Sequence, residues 1–200
     1  MKKWYIVLWL MLPVVALGYH FAAGEQHQKM DAISGHLRFA RSLAQEKKWS
    51  AATDELEKAL EGLPDDADST RRELRLELAQ AKMNSSRLPE AHEDLKKMLD
   101  ELTTQTERQP GDAEFENRVR ESLASSQYYM TWLMRLEGLP REEWEPEIES
   151  ARQNYRLLAE RADETGRADQ KKTQLENLEA SIKLARLDLS DLQGLPIPSQ

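Results

Sequence analysis

β-branched residues are scarce in this chain, and their scarcity limits the secondary structure that it can form. Beyond residue 20, valine and isoleucine occur only as Ile33, Val119, Ile148, Ile182 and Ile197. Because strands are enriched in β-branched residues, a β-sheet would lack its usual material. Glu, Leu, Ala, Arg and Lys dominate instead, and apolar residues recur at helical spacing rather than at alternate positions. The sequence therefore predicts an all-α protein.

Glycine and proline divide the chain after Gly24 into segments. The breaks lie at Gly62-Leu-Pro64, Pro110-Gly111, Gly138-Leu-Pro140, Gly166 and Gly194-Leu-Pro196. Thr70 and Glu73 have the spacing of a capping box, which marks the start of a helix. The predicted helices span residues 26–46, 50–62, 70–84, 89–105, 113–137, 141–164 and 168–191. Their connections are short, so successive helices are expected to pack antiparallel.

The segment from His36 to Pro64 has the pattern of a close-packed helical hairpin. Its first helix carries Phe39, Ala40 and Leu43, and its second carries Trp49, Ala52, Leu56, Ala59 and Leu60. Two antiparallel helices approach closely only where side chains are small, so Ala40 and Ala52 are expected at the crossing. The bulky residues, Phe39 among them, are expected to fill the space around it.

The same pattern recurs 39 residues later. Leu78-Ala79 repeats Phe39-Ala40, Ala91 repeats Ala52, and Leu88, Leu95, Met98 and Leu99 follow the remaining positions. Arg75 and Lys82 depart from the pattern, since they occupy positions that are bulky and apolar in the first unit. The two units resemble the tetratricopeptide repeat, whose usual period is 34 residues, with residues 65–69 as an inserted linker. A looser third match is Ala151-x-x-x-Tyr155-x-x-Leu158.

This resemblance implies a short α-solenoid of stacked antiparallel hairpins. The last predicted helix suits a capping role, because Leu175, Leu178, Ile182, Ala185 and Leu189 form one apolar stripe while charged residues lie off it. An unrelated helical bundle is the alternative, because any helical hairpin can mimic one unit.

The apolar run from Trp4 to Ala23 follows Lys2 and Lys3 and carries no charged residue. About 20 residues are enough for a helix to cross a bilayer core of ~30 Å, so residues 1–24 are predicted to be a signal anchor with the body of the protein outside. The alternative is a signal peptide, cleaved near Gly18, that releases a soluble periplasmic domain.

Charge and residue types exclude several classes of function. The net charge is −8, which argues against nucleic acid because phosphate neutralisation needs clustered cations. The chain has no cysteine, so disulfides and thiolate chemistry are excluded. None of His20, His27, His36 and His92 has metal-ligand spacing to another histidine, and no phosphate-binding loop is present. The expectation is a non-enzymatic protein without cofactor or metal.

A partner surface is predicted from the resemblance and from the aromatic residues. In the repeat family the first helix of each pair lines a concave groove, which implies these groove positions here: Leu37, Arg41, Gln45, Leu76, Gln80, Met83 and Asn84. Tyr128 and Trp132 lie four residues apart on one helix. They are either exposed anchors for a partner or the buried side of a central helix.

The sequence therefore predicts a scaffold or adaptor for other proteins in a membrane-associated, extracytoplasmic complex. The predicted parts are the anchor at 1–24, a helical domain at 25–191, and a proline-containing tail at 192–200. The location implied is a bacterial-type inner membrane, crossed once through residues 4–23. A soluble domain with a ligand-binding or enzymatic pocket is the second hypothesis, and self-association of the anchored chain is the third.

Overall fold

The computed structural model describes residues 31–105, 110–188 and 191–192, and every regular element within them is a helix. The predicted all-α class is confirmed for these residues. The helices are α1 (residues 31–45), α2 (Trp49–Glu61), α3 (Asp68–Asn84), α4 (Leu88–Thr104), α5 (Asp112–Leu136), α6 (Arg141–Glu164) and α7 (Ala168–Arg186). Their bounds follow the predicted ones closely, except that α7 ends at Arg186 rather than near residue 191.

The chain divides into two compact units, Met1–Glu77 and Leu78–Gln200. In the first unit, α1 and α2 form a hairpin with an apolar interior. Ala40 and Ala52 are both buried, as the predicted helix crossing requires, and Leu43, Leu56 and Leu63 are buried with them. The hairpin is also bridged outside its core, where Nδ1 of His36 lies 2.6 Å from Oε2 of Glu55.

One bulky position of this hairpin was predicted wrongly. Phe39 is 55% exposed, although the repeat pattern predicts that it packs at the crossing. Its neighbour Ala40 is buried instead, and a residue one step along a helix is turned by about 100°. The ring therefore lies on the outer side of α1.

In the second unit, α4 packs on α5, α5 on α6, and α6 on α7. The main apolar core includes Tyr128 from α5, Trp144, Ile148 and Tyr155 from α6, and Leu184 from α7. All seven residues of α5 from Ser122 to Tyr128 are buried, so this stretch is enclosed on every side. A helix in that position must bury polar side chains too, and they need hydrogen-bond partners.

Four of the described helix connections have the same backbone geometry, with a positive φ angle at Lys47, Ser86, Gly138 and Gly166. Lys47 and Ser86 have φ angles of 58° and 63°, in the left-handed region. In each turn the next residue donates to the helix before it: Lys48 N–H to Leu43 O at 2.9 Å, and Arg87 N–H to Lys82 O at 3.2 Å. Residues 47 and 86 are separated by 39 positions, which is the offset between the two sequence units.

The buried face of α7 differs from the predicted apolar stripe. Leu175 is 46% exposed, and Leu178, Ile182 and Ala185 are half-buried, while Leu189 lies outside the described residues. The buried positions are Gln174, Asn177, Ala180, Ser181 and Leu184. In this orientation Gln174 donates to Glu121 of α5 at 2.6 Å, which places a polar residue inside. An apolar pattern by itself does not reveal such a rotation.

No helix among the described residues is long and apolar enough to cross a membrane. The predicted anchor at residues 4–23 lies outside the described residues.

Candidate functional site

A cavity of about 890 Å³ lies in the second unit, between the start of α5, the end of α6 and the start of α7. Two glycines at helix boundaries are among the residues that line it. Gly111 precedes α5 with φ 96°, and Gly166 reverses the chain from α6 into α7 with φ 69°. Both angles lie in the left-handed region that glycine adopts without strain. The cavity is within the size range of ligand-binding clefts.

Ion pairs and amide contacts tie the three helices together around this cavity. Arg167, at the start of α7, lies 2.7 and 2.8 Å from the two carboxylate oxygens of Glu114 in the first turn of α5. Arg161, in the last turn of α6, donates to Oδ1 of Asn117 at 2.5 Å. A carboxylate at a helix start and a guanidinium at a helix end also suit the helix dipoles. These contacts therefore join α6 and the start of α7 to the first turns of α5 around the cavity.

A buried carboxylate lies behind the cavity wall. Glu116 accepts hydrogen bonds from Arg120 at 2.9 Å and from Arg161 at 3.1 Å. Burial raises the pKa of this carboxyl, but the two guanidinium hydrogen bonds outweigh that effect and hold the pKa below its usual value. Glu116 is therefore an ionised structural group at neutral pH, and it positions Arg161 at the rim.

Gln174 is the side chain of the cavity that has an unmet hydrogen-bonding requirement. It is 5% exposed, and its Nε2 donates to Oε1 of Glu121 at 2.6 Å. Its Oε1 has no hydrogen-bond partner among the described residues. A buried carbonyl oxygen without a donor costs about 1–3 kcal/mol, so a ligand that supplies an N–H or O–H would gain from meeting it. The cavity is thus suited to a donor-bearing ligand.

The tyrosines near this region are protonated at neutral pH. Burial raises the pKa of Tyr128 to about 12. Burial also raises the pKa of Tyr155, more than the hydrogen bond with Ser125 lowers it. Neither ring is therefore ionised at neutral pH.

The predicted groove positions within the compact unit Met1–Glu77 lie on α1 and on α3. Arg41 is exposed, and its guanidinium pairs with both carboxylate oxygens of Glu77 at 2.9 and 3.0 Å. The Glu77 hydrogen bond raises the pKa of Arg41 further. Gln45 is exposed, Leu37 is half-buried and Leu76 is buried. A partner could contact Arg41 and Gln45 freely, but Leu76 only if α3 moved.

The predicted groove positions within the compact unit Leu78–Gln200 lie on the last turns of α3. Gln80 donates to Oγ of Ser122 on α5 at 2.9 Å, and Asn84 donates to the carbonyl of Gln80 at 2.9 Å. Met83 is half-buried. The two amides share one helix face, but each has a partner within the chain.

Tyr128 is not an exposed anchor. It is 0% exposed and belongs to the core between α5, α6 and α7. Trp132 is half-buried and packs edge-on against it, with ring centroids 6.3 Å apart. The prediction of an exposed pair is corrected here, because α6 and α7 both cover this side of α5. Of the two interpretations left open by the sequence, the buried central helix is correct for Tyr128.

Sequence reasoning missed the residues that shape the cavity, namely Asn117, Glu121, Arg161 and Gln174. Their charges and amides look like an ordinary solvated surface when only the sequence is considered. One signal was present: Gln174, Asn177 and Ser181 recur at three- and four-residue spacing, which is the period of a single helix face.

The comparisons with known proteins identify no relative. No protein-family model, no curated protein and no solved structure matches this chain. Within the described residues, no three histidine, aspartate or glutamate side chains are grouped so that they could hold a metal ion.

Proposed function

We propose that this chain is a non-catalytic protein-interaction module, and that the cavity between α5, α6 and α7 holds a segment of a partner protein. The observation that carries the proposal is Oε1 of Gln174, a buried acceptor on a cavity-lining residue that has no donor among the described residues. A polypeptide backbone offers an N–H group at nearly every residue. An extended partner segment can therefore supply the missing donor.

The charges at the cavity also suit a peptide. Glu114 and Arg167 neutralise each other at one rim, and Arg161 is balanced by Glu116. A site without a strong net field selects by shape and hydrogen bonding rather than by charge. Such a site favours a polar or mixed segment over a highly charged one.

The similarity of the first two hairpins supports the repeat-like part of the proposal. Ala40, Ala52 and Leu56 are buried in one, and Ala79, Ala91 and Leu95 are buried at the same offset in the other. Lys82, which departs from the apolar pattern, is buried as well, and its ammonium binds Asp94 at 2.7 Å. The aliphatic stem of a lysine can fill a position that is apolar elsewhere, provided that its charge is paired.

The membrane location forms part of the same proposal. Residues 4–23 would hold the module at a membrane, with Lys2 and Lys3 on the cytoplasmic side and the helices outside. An intact-mass measurement on protein purified from its host tests this directly. The full mass is expected, whereas a mass corresponding to cleavage near Gly18 would contradict the anchor.

The test of the binding site is a selection from a random linear-peptide library against the full chain in detergent. Peptides that bind the cavity are expected to bind Gln174→Leu about five- to thirtyfold more weakly, since one lost hydrogen bond at a buried acceptor is worth about 1–2 kcal/mol. Gln45→Leu is the control, because Gln45 is exposed and lies in the other unit.

Thermal unfolding of each variant shows whether it is folded. Leucine is close in size to glutamine, so Gln174→Leu is expected to keep its place between α5 and α7. Selected peptides that bind both variants as tightly as the original chain would contradict the proposed site.

A further inference from the structure

The last turns of α5 carry an exposed apolar patch, formed by Tyr129, Leu133 and Leu136. Leu133 is 47% exposed and Leu136 is 52% exposed, while Tyr129 is half-buried. Their spacing of four and three residues puts them on one side of the helix. Isolated apolar residues on a surface are ordinary, but a contiguous apolar patch calls for an explanation.

The patch exists because α5 extends beyond the helices that cover it. Earlier on the same helix, Ser122 is bonded to Gln80 of α3, and Ser126 lies 3.2 Å from Nδ1 of His92 on α4. Because α4 begins at Leu88, only about one turn before His92, it covers α5 for only about one turn past Ser126. Beyond that point the face is left open.

The chain returns to this part of the molecule after α7. The guanidinium of Arg135 on α5 donates to the carbonyl oxygens of Leu184 and Leu187, so the end of α7 lies against the last turns of α5. Leu192 is fully buried in the core that also contains Tyr128, and Tyr129 packs against that core. Leu192, the last described residue, therefore belongs to a core that Tyr129 of the patch also contacts.

Residues 193–200 read Gln-Gly-Leu-Pro-Ile-Pro-Ser-Gln and lie outside the described residues. Leu195 and Ile197 each precede a proline, which favours extended backbone at both positions. Residues two apart in an extended chain point to the same side. Eight residues reach up to about 26–29 Å, more than twice the diameter of a helix at about 10–12 Å. The segment is long enough to cross α5.

We propose that residues 193–200 bind back onto α5 and cover the patch, with Leu195 and Ile197 against Leu133 and Leu136. Burying these four side chains removes apolar surface from water, and the two prolines lower the entropy that the segment loses on binding. The anchored Leu192 makes the contact intramolecular, which favours it over the same contact with a second copy. This proposal is independent of the peptide site in the cavity.

The absence of cysteine allows a direct test, because a single introduced thiol is the only reactive one. Leu136→Cys is treated with a maleimide reagent in the full chain and in a chain lacking residues 193–200. Deletion is expected to raise the labelling rate at least about fivefold, which corresponds to about 1 kcal/mol of closure. The matched control is Leu175→Cys, since Leu175 is similarly exposed at 46% but lies on α7.

An unchanged rate at position 136 would overturn the proposal. Equal acceleration at both positions would also overturn it, because the deletion would then loosen the whole unit. Leu195→Ser with Ile197→Ser keeps the chain length and is expected to accelerate labelling at position 136 alone.

A disulfide test identifies what covers the patch. The double variant Leu136→Cys with Ile197→Cys is expected to form a bond within one chain under mild oxidation, faster than Leu175→Cys with Ile197→Cys. A bond requires the two Cα atoms to approach within about 7 Å, so the rate reports the contact itself. Crosslinked dimers in place of the intramolecular bond would assign the patch to a second copy and refute the proposal.

Discussion

The α1–α2 hairpin and the α5–α7 region bury different chemistry. The hairpin encloses alanines and leucines, Ala40 and Ala52 among them. The α5–α7 region encloses an apolar core together with buried polar groups such as Glu116, Gln127 and Gln174. In the hairpin, side-chain size determines how the helices meet, whereas in the other region hydrogen bonds also determine which face of each helix turns inward.

Gln127 shows how hydrogen bonds determine the packing of α5 against α6. Its Nε2 donates to Oγ of Ser150 on α6 at 2.8 Å, and its Oε1 accepts from Asn154 at 3.3 Å. Arg120 in turn donates to Asn154 at 3.2 Å. Directional contacts of this kind allow one register between α5 and α6, whereas apolar contacts alone tolerate several.

The largest effect is expected at the apolar core of the second region. Tyr155→Ala should lower the free energy of unfolding by about 3–5 kcal/mol, because a fully buried ring leaves a cavity that its neighbours fill poorly. Tyr155→Phe should cost only about 1 kcal/mol, since it removes one hydrogen bond with Ser125. Denaturant unfolding of both variants measures the two contributions, and equal losses would contradict this division.

The rotation of α7 gives the next effect in size. Leu184→Ala should cost about 2–4 kcal/mol, because Leu184 is fully buried. Leu175→Ala should change the unfolding free energy by less than about 0.5 kcal/mol, since Leu175 is on the exposed side. The apolar stripe in the sequence predicts comparable losses, so unfolding midpoints distinguish the two orientations. If Leu175→Ala instead lowered the unfolding free energy more than Leu184→Ala, the result would support the predicted apolar stripe as the buried face of α7.

A smaller effect is expected for the buried carboxylate. Glu116→Gln should cost about 1–3 kcal/mol, because it weakens two charge-assisted hydrogen bonds in the interior. Glu145→Gln is the control, since Glu145 and its partner Arg141 are both exposed and form a surface ion pair. No measurable loss is expected there, and equal losses for the two variants would show that burial adds nothing at Glu116.

The smallest expected effect is the pH dependence of the stability that Glu116 contributes. The pKa of Glu116 is lowered in the folded chain, so its stabilising contribution is present above the usual glutamate pKa of about 4.3 and is lost as the pH falls through the folded value. The difference in unfolding free energy between the original chain and Glu116→Gln should therefore shrink below about pH 4. Unfolding curves between pH 7 and pH 3 measure it, and a difference that grows on acidification would reverse the assigned sign.

Much of the local structure could be predicted from the sequence. Helix bounds followed from glycine, proline and apolar spacing, because these act within a few residues of each position. The alanines predicted at the helix crossings are all buried, as small residues at a close approach would be. Phe39 was misplaced because its role came from a family pattern rather than from its own neighbours.

The candidate site was the least predictable part. Tyr128 was ambiguous, because burial of both sides of α5 depends on where α6 and α7 lie. Gln174 was missed, because a buried amide is recognisable only when its partner Glu121, on another helix, is known.

By itself, the sequence determined that the described chain is helical, where most of its described helices begin and end, and which alanines are buried in the first hairpin. These properties depend on backbone preference and on side-chain volume, which act over short distances along the chain. Only the tertiary structure decided which side of α7 faces inward, that Tyr128 is enclosed, and that the buried side chain of Gln174 lines a cavity. Those outcomes depend on hydrogen bonds between helices that are up to 53 residues apart in sequence, as Glu121 and Gln174 are. No local pattern records such a pairing.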